Sequence, residues 1–125
     1  MRHKLLADYL DAIEHAVISL ENVSVDNYLE EILTSERANL RIRIRFLNGQ
    51  LLELNEAVVI ENNKFTTLDY RYHFQNESNQ LLFRYDNAPH FPNLATFPHH
   101  KHLHNETIAS EKPTILEVLI ECQNH

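Results

Sequence analysis

Tryptophan is absent from the 125 residues, and glycine and cysteine occur once each. A lone cysteine, Cys122, excludes an intrachain disulfide and a cysteine-based zinc finger, so a reducing cytoplasmic setting is expected. A lone glycine, Gly49, leaves no glycine-rich phosphate cradle, and no P-loop or dinucleotide fingerprint is present. Long apolar runs are missing too. Asp8, Asp11 and Glu14 interrupt the stretch where a signal peptide would be hydrophobic, so neither export nor a membrane span is expected. Positive charge is scarce, with 11 Lys and Arg against 18 Asp and Glu and a net charge of -7. That balance excludes a general nucleic-acid coat protein, which needs a cationic surface to displace counterions from phosphates.

What is present is an ordinary globular mixture, 43% apolar and 23% charged, enough for a single domain over residues 1–125. Charge is unevenly spread. Residues 1–36 sum to -6, residues 37–104 to +2 and residues 105–125 to -3, and six of the nine histidines lie in the middle stretch. An anion-seeking surface belongs in that stretch.

Leu5, Leu6, Tyr9, Leu10, Ile13, Ala16, Val17 and Leu20 recur at helical steps and predict an amphipathic N-terminal helix. Residues 23–35 read as a strand. Leu40, Ile42, Ile44 and Phe46 alternate with Arg41, Arg43 and Arg45, the period-two pattern of a strand with one apolar and one cationic side. Asn48-Gly49 predicts a type I′ turn. Return strands follow near 50–60, 65–75 and 80–86, separated by polar turns. The stretch 87–105 holds Pro89, Pro92 and Pro98 without glycine, and predicts a stiff, extended loop. Pro113 precedes a short C-terminal helix carrying Ile115, Leu116, Val118, Leu119 and Cys122. The expected fold is therefore α+β: an antiparallel meander sheet of about five strands, with N- and C-terminal helices on one face and the Pro/His-rich loop over the other.

Strand parity groups the side chains. Leu68, Tyr70, Tyr72 and Phe74 should point to the core, leaving Asp69, Arg71, His73 and Gln75 opposite, and Arg84 and Asp86 should oppose Phe83 and Tyr85. Arg41, Arg43, Arg45, Arg71, His73, Arg84 and Asp86 then share a face, and the loop could bring His90, His99, His100, Lys101 and His102 over it. Imidazoles on a rigid loop titrate near pH 6.5 and suit proton transfer.

Leu40-Arg41-Ile42-Arg43, Asp69-Tyr70-Arg71-Tyr72-His73, Phe83-Arg84-Tyr85-Asp86-Asn87-Ala88-Pro89-His90 and Thr96-Phe97-Pro98-His99-His100-Lys101-His102 together resemble the TumE family, over roughly residues 5–120. The family is similar to the toxin halves of bacterial type II toxin–antitoxin pairs. The resemblance implies a cytoplasmic toxin silenced by a cognate helix-turn-helix antitoxin. Phe91 departs from the family pattern, which more often has a second histidine there.

The favoured chemistry is a metal-independent ribonuclease with no cofactor. His73, His99 and His100 would transfer protons, Arg84 and Lys101 hold the phosphate, and Asp86 orient an imidazole. Arg41, Arg43, Arg45, Arg71, Tyr72, Asn87, His90 and His102 are the expected RNA-binding groups. Alternatively, His100, His102 and His104 alternate and could ligate a metal ion with His73 or Asp86. A non-catalytic module that captures an anionic partner is the third reading.

Overall fold

The computed structural model describes residues 2–125. The chain runs α1 (Lys4–Ile18), β1 (Val23–Thr34), β2 (Arg37–Phe46), β3 (Leu51–Glu61), β4 (Lys64–Gln75), β5 (Leu81–Asp86), β6 (His100–His102), β7 (Thr107–Ala109) and α2 (Ile115–Gln123). All seven strands form one antiparallel sheet in chain order. Two strands exceed the expected five, because β6 and β7 are three residues each, too short to display a period. The end of the proline-rich segment therefore extends the sheet instead of lying wholly over it.

Both helices pack on one face. Leu6, Leu10, Ile13 and Val17 of α1 and Ile115, Val118, Leu119 and Cys122 of α2 bury against Leu40, Ile42, Ile44, Leu52, Leu54, Tyr72, Phe74 and Phe83. Helix α2 starts at Ile115, two residues after Pro113. Thr114 caps it, its side chain accepting from Glu117 N while the Glu117 carboxylate accepts from Thr114 N. No helix among the described residues is long and apolar enough to cross a membrane.

Inside this core lies one buried acid. Glu56 on β3 is 3% exposed and accepts from Tyr9 Oη of α1 and from Tyr72 Oη of β4, the latter at 2.6 Å. Lys112 Nζ stands 5.4 and 5.5 Å from the ring centres of Tyr70 and Tyr72. Helix and sheet are thus tied by a polar hub as well as by apolar area.

Two turn expectations change. Gly49 has φ +88°, but Asn48 does not share the left-handed region, and the loop spans Leu47–Gln50 between the paired Arg45 and Leu51. The two-residue turn with both φ angles positive is instead Asn62-Asn63, joining the paired Glu61 and Lys64. Leu68 is the extra residue of a β-bulge, since Ala57 pairs with Asp69 but Val58 with Thr67. The bulge breaks the expected parity, and Leu68 turns away from the core to 39% exposure.

Candidate functional site

The register aligns side chains across the sheet in two lines, polar from β2 to β6. One runs Asn27, Arg43, Glu53, His73, Arg84, His102 and Thr107. The next runs Leu29, Arg41, Asn55, Arg71, Asp86, His100 and Ala109. Because facing residues on neighbouring strands share a side, these lines define the face opposite the helices. Where both lines reach β5 and β6, a cleft of about 810 Å³ opens, lined by Arg71, Arg84, Asp86, His90, Phe91 and His102 among others.

The cleft floor is a tight cluster. His100 Nε2 lies 2.8 Å from Asp86 Oδ1 and 3.0 Å from His102 Nε2, and His102 Nε2 lies 3.3 Å from Asp86 Oδ2. His100 is 1% exposed and Asp86 7%. Each member is held from behind. Ala88 N donates to Asp86 Oδ1 at 3.0 Å, and Arg84 Nε lies 3.3 Å from Asp86 Oδ2. His100 Nδ1 donates to the Pro98 carbonyl at 3.0 Å, and Thr107 Oγ1 meets His102 Nδ1 at 3.1 Å. Phe91 presents its ring edge-on to both imidazoles, with centroids 4.9 and 5.7 Å away. A phosphate cannot sit between two imidazole nitrogens 3.0 Å apart, so His100 and His102 do not flank a substrate as an acid–base pair requires.

Neighbouring positions turn the other way. His99 bonds Tyr70 Oη through Nδ1 at 2.9 Å and stacks on its ring, on the helix side. Lys101 Nζ lies 2.7 Å from Glu121 of α2 and over the rings of Phe83 and Tyr85. Period two is the cause: β6 sends His100 and His102 to the cleft, so Lys101 must face the helices. The expected phosphate role for Lys101 and proton-transfer role for His99 are therefore geometrically misplaced. Tyr72 is fully buried at Glu56, on that same inner side. Asn87 closes the bulge, accepting from Tyr70 N and donating to the Leu68 carbonyl, so its amide is committed to the backbone.

On β2 the arginines are partnered: Arg41 with Asn55 at 3.0 Å, Arg43 with Glu53 at 3.9 Å, and Arg45 with Asp26 at 3.3 Å. They share the polar face but stand strands away from the cleft. Arg71 is exposed at the cleft, with no ion-pair partner within 4.0 Å among the described residues. His90 is exposed on the rim, and His104 is exposed in the β6–β7 turn, outside the cluster.

Burial sets the protonation of the site. It pushes His73 below the ordinary imidazole value, helped by Arg71 and Arg84, against a bond from Nε2 to Gln75 Oε1 that raises it. His102 is also lowered, first by burial and then by Arg84, with Asp86 opposing. Lys101 moves the other way, because Glu121 and Tyr85 together outweigh its burial.

Several parts of the cluster carried no signal in residue type: the Pro98 carbonyl, Thr107 and the Phe91 cover. Asp86 bonding the backbone two residues on is the exception, a habit of aspartate that Asp86-Asn87-Ala88 could have revealed. Residues 12–125 match the family described as Toxin TumE. No curated protein and no solved structure matches.

Proposed function

This chain belongs to the TumE toxin family, and we propose that it arrests growth by cutting RNA in the cleft beside Arg84. The observation that supports this most is the register of three neighbouring strands, where Arg84 on β5 stands between His73 on β4 and His102 on β6. Strands about 4.8 Å apart separate those two positions by roughly 10 Å, with a guanidinium fork between them. A phosphodiester seated on Arg84 and Arg71 reaches a proton-transfer group on one side and the Asp86–His100–His102 cluster on the other.

In the reaction, the ribose 2′-oxygen bonds to the adjacent phosphorus and its proton leaves to a base. The bond from phosphorus to the 5′-oxygen breaks, and that oxygen takes up a proton. The products are a 2′,3′-cyclic phosphate and a 5′-hydroxyl. His73 suits one transfer, since its lowered pKa keeps the imidazole neutral at physiological pH. Its Nε2 is bonded to Gln75 Oε1 and its Nδ1 is buried without a partner, so the ring must turn to present a nitrogen to the substrate.

Family membership implies an antitoxin partner, and we read that partner as a helix-turn-helix protein. The α1–β1 edge, where Asp11, Glu14 and Glu30 act on one another around Tyr28, complements a cationic DNA-binding partner and steers RNA toward the middle strands. The test is inducible expression without antitoxin, with sequencing of transcript ends, for the wild type, Arg84→Ala and His102→Ala. New 5′-hydroxyl ends should appear with the wild type alone. Growth arrest with intact transcripts overturns the reading.

A further inference from the structure

The Asp86–His100–His102 cluster gathers one carboxylate and two imidazoles around a single point. The Pro98 carbonyl can only accept, so His100 Nδ1 carries the proton in that 3.0 Å bond. In the neutral ring, Nε2 then aims a lone pair at Asp86 Oδ1, 2.8 Å away, with His102 Nε2 at 3.0 Å. His102 Nε2 faces both groups, and when His102 Nδ1 donates to Thr107 Oγ1 its lone pair joins theirs, so three ligand atoms point at one spot.

We infer that Asp86, His100 and His102 are the ligand set for one divalent transition-metal ion, with two imidazoles and one carboxylate leaving open positions toward the cleft. Spacing supports this. Ligands about 2.0–2.2 Å from a metal lie roughly 2.9–3.5 Å from one another in tetrahedral or octahedral shells; the two Nε2 atoms stand 3.0 Å apart, and each has its own Asp86 oxygen, Oδ1 at 2.8 Å from His100 and Oδ2 at 3.3 Å from His102. The backing groups fit as well. Ligating imidazoles usually donate their second nitrogen to a carbonyl or hydroxyl, as His100 does to Pro98 and His102 can to Thr107. The Asp86 carboxylate is held by Ala88 N and Arg84. Nitrogen and oxygen donors without thiolate suit zinc and its first-row neighbours.

His104, the third histidine of the alternating run, is replaced by Asp86, which register sets opposite His100. The ion's catalytic use rests on the RNA-cutting reading, where it stands in for the metal-free scheme expected from sequence. Its binding does not.

The experiment uses untagged protein stripped with a chelator and titrated calorimetrically with zinc, then with cobalt(II), whose visible absorption reports nitrogen ligation. One ion per chain should bind. Asp86→Asn and His102→Gln should each weaken it by roughly tenfold or more while circular dichroism is retained, and His104→Gln should bind as the wild type does. Zinc binding no tighter than to the His100→Gln/His102→Gln double variant overturns the assignment, as does loss of binding in His104→Gln. The titration contains no RNA, so the two readings fail separately. Stoichiometric zinc with intact transcripts sustains the ion site and removes the RNA reading. Cleavage that survives chelation, in protein that binds no zinc, does the reverse.

Discussion

Removing one phenolic oxygen should have opposite consequences at Tyr72 and Tyr28. Tyr72 is fully buried, and its hydroxyl donates at 2.6 Å to Glu56, itself 3% exposed, so no water can replace the bond. Tyr72→Phe strips a buried acid of one of its two phenol donors, and a hydrogen bond to a charged group contributes about 1.5–3 kcal/mol. Unfolding entropy near 2.1 cal/mol/K per residue gives a chain this long roughly 0.26 kcal/mol/K, so Tm should fall by about 6–11 °C. Tyr28 Oη, by contrast, is buried without a partner. Tyr28→Phe deletes an unsatisfied hydroxyl and should leave stability unchanged or raise it by up to about 1 kcal/mol. Tyr9→Phe belongs between them, because Tyr9 is only half-buried and water can reach the vacated place. Thermal and urea unfolding followed by circular dichroism read all three. Equal losses at Tyr72 and Tyr28, or a loss below about 0.5 kcal/mol at Tyr72, would refute the hub.

Alkali should expose the same hub. Burial and Glu56 raise the phenols of Tyr9 and Tyr72 far above the ordinary value near 10, so only the unfolded chain ionises there; stability should decline as pH climbs past about 10, and less steeply in Tyr72→Phe. The acid side follows from His73, whose folded pKa lies below the unfolded value near 6.5: stability should fall as pH drops through that value, and a denaturation series should show a shallower slope in His73→Gln. Gly49→Ala combines φ +88° with a new Cβ 2.9 Å from Glu77 Cβ, and should cost about 1–2 kcal/mol by urea midpoint. Lys101→Met breaks the contact with Glu121 and should lower stability by about 1 kcal/mol. It should leave RNA cleavage within about twofold, since the amine faces α2; a large loss of cleavage would return Lys101 to the cleft.

Much of the fold was legible because its longer strands repeat a clean two-residue period. Leu40, Ile42 and Ile44 are buried and Arg41, Arg43 and Arg45 exposed, as the alternation requires. Legibility ended where elements became shorter than their own period. β6 and β7 could not announce themselves, and with them went the fact that His99 and Lys101 face away from His100 and His102. Local chemistry misled at the β2–β3 hairpin, where Asn-Gly suggested a tight turn that the protein makes instead with Asn62-Asn63. The Leu68 bulge left no mark in residue type, yet it turns that side chain toward the cleft. The sequence pattern marks Asp86 as a partner for an imidazole. That it meets two of them needed the pairing of β5 with β6, a relation between segments that no single segment encodes.

The three-residue β6 makes this corner intolerant of a shift in strand register. A slip of β6 by one residue against β5 would swing the ammonium group outward and both rings into the greasy interior. Insertions can accumulate at the distant Asn62-Asn63 tip without touching the cleft. Within β6 itself an insertion has no such freedom, because three residues leave no room to recover the parity.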